Sequence, residues 1–198
     1  MIDDSQNLRK LLLTILRGDV TKSLNAVAKA LESPDTETSH YAASAIMDIM
    51  SEFQTTIQKF QAQLSANPED SELNHLFIDY LYKILNSNIL SEMEKKTYVY
   101  TMLSACQNYY EHNPSRMHVT HYAHIIRFLT EIGDLKNARI WVDRIQKEKP
   151  DHADMYLAVL NFYFTVQDRE CFFKCLERLK HSGIAIGQEL LELIRIYG

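Results

Sequence analysis

Met117-His118-Val119-Thr120-His121-Tyr122-Ala123-His124 sets three histidines at three-residue spacing. On a helix, residues i and i+3 lie close enough to share a divalent ion, and imidazole is a common zinc ligand. No carboxylate or thiolate stands at a supporting position, and a strict three-residue spacing drifts around a helix of 3.6 residues per turn. The row therefore reads as polar positions on a repeat helix, with no metal or other cofactor expected. The rival reading, a metal-dependent enzyme on this helix, requires bound metal. Cys171 and Cys175 are one helical turn apart. A redox pair favours CxxC spacing, and Cys175 falls on an apolar stripe, which reads as a small core residue. Tyr80, Tyr82, Tyr98, Tyr100, Tyr109 and Tyr110 form a third group. The adjacent Tyr109 and Tyr110 cannot both face inward, and a half-exposed tyrosine suits a contact surface. Both roles, core filling and contact, stay open for this cluster.

Catalytic signatures are missing. There is no glycine-rich phosphate loop, no GxSxG elbow, no HExxH and no local Cys-His signature. The expectation is a chain without enzymatic activity. Hydrophobic residues make up 46% and charged residues 24% of the 198, an ordinary globular composition. A chain of this length buries roughly 70% of its extended surface on folding and needs no disulfide staples. Its three cysteines cannot all pair within the chain and fit reduced thiols in a cytosolic setting. The net charge of −5, without a basic stripe, argues against nucleic acid as a partner. The acidic start Met1-Ile2-Asp3-Asp4 has no signal-peptide pattern. The first apolar cluster, residues 11–16, is far short of the roughly 20 residues needed to span a bilayer, so no membrane span is expected.

The elements that must position these side chains are helices. With 5 Gly and 4 Pro, the composition argues against an all-β sandwich or barrel rich in tight turns. Pro34, Pro68, Pro114 and Pro150 are spaced by 34, 46 and 36 residues. Proline breaks helix interiors, so these mark boundaries, and Asp35, Asp70, Ser115 and Asp151 follow as expected N-caps. A period near 34 is that of stacked two-helix repeats. From Val119, the positions Tyr122, Ile125, Ile126, Leu129, Gly133, Ala138, Val142, Ile145 and Pro150 match the spacing of large, small and turn residues in the tetratricopeptide pattern. This segment resembles a tetratricopeptide repeat. Gly133 turns the chain, Asp134 caps the second helix, and Ala138 lets the two helices approach.

The next unit is looser. Tyr156, Val159, Leu160 and Tyr163 repeat the first-helix face, and Asp168 caps a helix striped by Phe172, Cys175, Leu176 and Leu179. Phe172 replaces the small residue, which predicts a splayed pair. Residues 188–197 read as a capping helix. Upstream, 71–86 is a helix with Leu73, Phe77, Leu81 and Leu85 on one face. Ser91 and Glu94 form a capping box for a helix running to about His112. Residues 36–66 hold no Gly or Pro and fit one long helix or two. Residues 7–16 and 20–31 read as a helix pair joined at Gly18-Asp19. The expected fold is all-α, a right-handed α-solenoid of about ten helices. It forms a single domain over 1–198, divided into N-terminal helices (1–66), an extended repeat (67–114), the best-fitting repeat (115–150), and a last pair with its cap (151–198).

The tetratricopeptide resemblance implies a partner-binding groove lined by positions 2, 5, 9 and 12 of each first helix. These are Thr120, Ala123, Arg127 and Thr130; then Asp154, Leu157, Asn161 and Phe164; and, in the extended unit, Glu72, His75, Asp79 and Tyr82. Only Arg127 and Asn161 suit a carboxylate clamp. The mixture fits a helix or extended segment with basic and apolar residues.

A second resemblance rests on Leu16-Arg17-Gly18-Asp19, on Ser33-Pro34-Asp35-Thr36-Glu37-Thr38-Ser39-His40-Tyr41-Ala42-Ala43-Ser44, and on Asn67-Pro68-Glu69-Asp70. With the layout of nearly the whole chain, this is similar to the cytosolic helical region of PelE-type proteins from bacterial Pel exopolysaccharide synthesis. In that family a membrane anchor precedes a tetratricopeptide-rich domain within an inner-membrane complex, which includes a cyclic-di-GMP receptor and a glycosyltransferase. The resemblance implies a non-catalytic scaffold at the cytosolic face of the inner membrane, with those subunits as partners. This sequence has no RxxD-type cyclic-di-GMP motif, and it lacks the family's membrane segments. The alternative is a free cytosolic adaptor or peptide-responsive regulator built on the same repeats.

Overall fold

The structure, a computed structural model, describes Val27, Lys29, Ala30 and residues 34–198 other than Asn88. The described residues are all-helical, with no strand. The helices are α1 (Thr36–Ala66), α2 (Ser71–Leu85), α3 (Glu92–His112), α4 (Val119–Glu131), α5 (Leu135–Glu148), α6 (Ala153–Thr165), α7 (Arg169–His181) and α8 (Gln188–Tyr197). The helix pair expected over 7–31 lies outside the described residues, apart from the helical Val27, Lys29 and Ala30. Residues 36–66 form one helix. None of the described helices is long and apolar enough to cross a membrane. The chain divides into two compact units, Met1–Asn113 and Pro114–Gly198.

In the first unit, α2 packs against both α1 and α3. Phe53, Ile57, Phe60 and Leu64 of α1 are buried, a stripe with helical spacing. Phe60 stacks on Phe77 of α2 with ring centroids 4.8 Å apart, and Phe53 meets Tyr80 edge-on at 6.0 Å. Burial of the Tyr80 hydroxyl pushes its pKa up to about 12, against a hydrogen bond with Thr56. The turn between α1 and α2 is held by asparagines. Asn74 Nδ2 and Asn108 Nδ2 both donate to the Pro68 carbonyl, and Asn108 also donates to Asn74 Oδ1. Asn113 donates to the Glu69 carbonyl, and the Ser71 and Tyr109 hydroxyls are 2.7 Å apart. Loop carbonyls that the helices cannot satisfy thus find partners on α2 and at the end of α3. Of the tyrosines, Tyr80, Tyr98 and Tyr109 are buried, while Tyr82, Tyr100 and Tyr110 reach solvent.

In the second unit, α4 pairs with α5 and α6 with α7, and α6 also contacts α4, α5 and α8. The two pairs correspond at an offset of 34 positions. Tyr122, Ile125, Ile126 and Leu129 match Tyr156, Val159, Leu160 and Tyr163, and all are buried. Ala138, Val142 and Ile145 match Phe172, Leu176 and Leu179, again all buried. The second pair packs less closely than the first.

The reversals match as well. Asp134 N donates to the Leu129 carbonyl and Gly133 N to that of Thr130; Asp168 N donates to Tyr163 and Gln167 N to Phe164. Nested bonds of this kind close a helix and need a left-handed residue in the middle. Gly133 supplies it at φ 80°, and Gln167 supplies it at φ 58°. The aspartate after each then caps the next helix, accepting from Asn137 N and Cys171 N.

Asp35, Asp70 and the Ser91–Glu94 box cap α1, α2 and α3 as expected. Ser115 and Asp151 do not cap α4 and α6. Each is taken up in a turn after its proline, and the first residue with extended backbone before the helix is His118 or His152. Their Nδ1 atoms accept from Thr120 N at 3.4 Å and Asp154 N at 3.2 Å. A neutral imidazole nitrogen can do the work of a carboxylate here.

Gly133→Ala should lower stability by about 1 kcal/mol, because a side chain at positive φ is strained. Its neighbourhood is open, so sterics add nothing. Gln167→Gly should raise stability by up to about 1 kcal/mol. Opposite shifts in the thermal midpoint are the check. Asn74→Ala should cost about 1–3 kcal/mol, because Asn108 loses a buried acceptor and the Pro68 and Asp70 carbonyls lose a donor. Urea unfolding should show this as a lower midpoint with an unchanged slope.

Candidate protein-interaction face

The expected binding positions on α2 lie off its buried stripe. Glu72 is exposed, and His75, Asp79 and Tyr82 are partly exposed. His75 Nε2 is 3.3 Å from Asp79 Oδ2, an i,i+4 pair on the helix surface. This face belongs to the first unit.

The other positions lie on α4 and α6, which pack against each other in the second unit. Thr120, Ala123, Thr130, Asp154 and Leu157 are half-exposed, and Arg127, Asn161 and Phe164 are exposed. Several have local work. The Thr120 hydroxyl meets His118 Nδ1 at 2.9 Å, and the Thr130 hydroxyl donates to the Ile126 carbonyl at 2.7 Å. Arg127 Nε lies 3.5 Å from Glu131 Oε1, and its guanidinium sits 4.3 Å from the Phe128 ring centroid. The Asp154 carboxylate is 3.7 Å from His152 Nδ1. Arg127 and Asn161 are the polar side chains among these positions that are exposed to solvent.

Phe164 belongs to a different feature. It is 58% exposed, and its ring stands 6.2 Å from Phe172 and 6.1 Å from Tyr197. Phe172 meets Tyr197 edge-on at 5.4 Å and Phe173 at 5.5 Å. These rings, with Tyr163, Gln167 and Arg169, line a pocket of about 450 Å³. The volume is within the range of sites that admit a small ligand or one anchoring side chain. The Arg139 guanidinium lies 5.1 Å from the Tyr163 ring centroid, with Nη1 3.5 Å from Asp168 Oδ2 and Nη2 3.9 Å from Cys171 Sγ. Hydrogen bonds from Cys171, with Arg139 adding to them, hold the Asp168 carboxyl below the usual carboxylate range. Sequence reasoning found Phe164 and missed Phe173, Tyr197, Gln167 and Arg169. A signal was present in the adjacent Phe172 and Phe173, which cannot both face inward, as with Tyr109 and Tyr110.

The histidine row is divided among three environments. His118 commits Nδ1 to the α4 cap, His121 is fully buried, and His124 is half-buried. Cys175 is buried as expected, and burial pushes its thiol up to about 11. Cys171 is half-buried beside Arg139, and all three cysteines are free thiols. No protein-family model, curated protein or solved structure matches the chain.

Limited alkylation with iodoacetamide at pH 8, followed by peptide mapping, should label Cys171 first. A thiol titrating near 11 is thiolate in only about one part in 10³ at that pH. Cys175 should therefore react only once the protein is unfolded, as should Cys106, which is fully buried.

Proposed function

We propose that residues 119–181 form two tetratricopeptide-like repeats and that the protein is a non-catalytic scaffold. The observation that carries this reading is the 34-residue correspondence in the second unit, which extends from buried stripes to reversal bonds and capping aspartates. A period of 34 with a small residue at the closest helix approach is the tetratricopeptide pattern. Such pairs bury one face of each helix and leave another open, and binding then proceeds by surface complementarity without bond chemistry. In this reading Arg127 and Asn161 form the centre of the binding face, and Thr120, Thr130, Asp154 and Leu157 form its rim.

The partner assignment follows the resemblance to PelE-type proteins. The domain would hold subunits of an exopolysaccharide synthase, such as the cyclic-di-GMP receptor or the glycosyltransferase, at the cytosolic face of the inner membrane. Fusion to an anchor would confine both partners to one surface and raise their effective concentration.

A pull-down with this chain from lysate of its own organism, read by mass spectrometry, should recover polysaccharide-synthase subunits. Arg127→Glu combined with Asn161→Ala should weaken capture about tenfold. Both side chains are exposed, so the thermal midpoint should barely move. Recovery of soluble regulators alone would favour the free adaptor and remove the membrane complex from the reading. Capture unchanged by the double substitution would remove the α4–α6 face.

A further inference from the structure

Five large apolar side chains in the last 35 residues are exposed: Phe164, Phe173, Leu191, Ile196 and Tyr197. Phe164, Phe173 and Tyr197 converge on the pocket at the α6–α7 reversal. An apolar concavity of this kind, open to water, is usually covered by something. Its rim indicates the chemistry of the cover. The two carboxylates of the rim segment are already engaged: Asp168 with Arg139 and the Cys171 amide, and Glu170 with Lys174 at 2.5 Å. Arg169, between them and lining the pocket, has no ion-pair partner among the described residues. The side-chain amide of Gln167 is exposed at the same rim, on a residue held at positive φ where the first pair has glycine. An unengaged guanidinium suits a carboxylate, a primary amide suits a peptide backbone, and aromatic walls suit an apolar anchor.

We propose that this pocket docks a protein segment that inserts one aromatic side chain between Phe164, Phe173 and Tyr197 while a neighbouring Asp or Glu pairs with Arg169. The proposal rests on the scaffold reading and makes it specific. The anchor point lies at the helix reversal, apart from the polar α4–α6 face, and it selects an acidic-aromatic segment in place of the basic one expected from the groove positions.

The test uses the full chain and a fluorescein-labelled, terminally blocked peptide carrying Asp-Phe-Asp between Gly-Ser flanks, read by fluorescence polarisation. Saturable binding is expected, weakened about tenfold when the probe's Phe becomes Ala and when Phe173 becomes Ala. Arg169→Glu should weaken the Asp-Phe-Asp probe and strengthen its Lys-Phe-Lys counterpart, a gain that misfolding cannot produce. Absence of saturation up to about 1 mM, or affinities untouched by both substitutions, would overturn the proposal. So would a dimer in sedimentation equilibrium that Phe173→Ala dissolves, since the pocket would then hold a second copy. The pull-down separates the two readings. Partner capture lost in Arg127→Glu with Asn161→Ala but intact in Arg169→Glu and Phe173→Ala would leave the scaffold standing and remove this pocket from it.

Discussion

A helix pair can pack side by side only if the chain reverses within a few residues and leaves no buried backbone group without a partner. In the second unit that requirement is met twice by the same arrangement. A left-handed residue lets its own amide and the next one fold back onto the carbonyls of the helix just ended, and an aspartate, whose own amide makes one of those bonds, caps the helix about to begin. One residue thus serves two helix ends. Because the reversal fixes where the second helix starts, it also fixes which of its residues meet the first. The buried stripes of α4, α5, α6 and α7 can then be arranged alike around two different sets of side chains.

The parts of this architecture that depend on local chemistry could be read from the residue order. Prolines bound the helices, the Ser91–Glu94 box opens α3, and the inward positions from Tyr122 to Ile145 are buried, because each is governed by neighbours within one or two turns. The capping histidines could not be read in this way. Ser115 and Asp151 are better cap residues than histidine by type. Which residue caps is decided by where the chain leaves the turn after each proline, and that depends on tertiary fit. Met117, fully buried just before His118, shows that the segment after Pro114 is already part of the core. The asparagine network around Pro68 was illegible for a similar reason: it joins residues 34 to 44 positions apart.

The candidate site divides along the same line. Positions set by helical periodicity, such as Arg127 and Asn161, emerge on the exposed side as counted, but periodicity says nothing of what else their side chains do. Arg127 is shared between Glu131 and the Phe128 ring, and the Thr120 and Thr130 hydroxyls are turned onto their own helix. The polar face is therefore shallower in free donors and acceptors than its composition suggests. The aromatic pocket draws on α6, α7 and α8 at once, and no single stripe contains it.

Comparison of the two pairs shows why the pocket accompanies the second. In the first, Ala138 stands at the close approach and Trp141, three positions on, is fully buried with its ring edge-on to Tyr122 at 5.7 Å. In the second, the corresponding residues are Phe172 and Cys175. Large and small have exchanged places. A close-packed interior needs its volume filled but is less strict about which position fills it. Moving the ring from the later position to the earlier one carries aromatic bulk toward the reversal. There Phe172 meets Phe164 and Tyr197 instead of a partner buried deep between the helices. The looser packing of this pair and the aromatic opening at its turn are then two consequences of one exchange of volumes. The departure from the small-residue pattern at Phe172 is the same feature that places an aromatic wall in the pocket at this reversal.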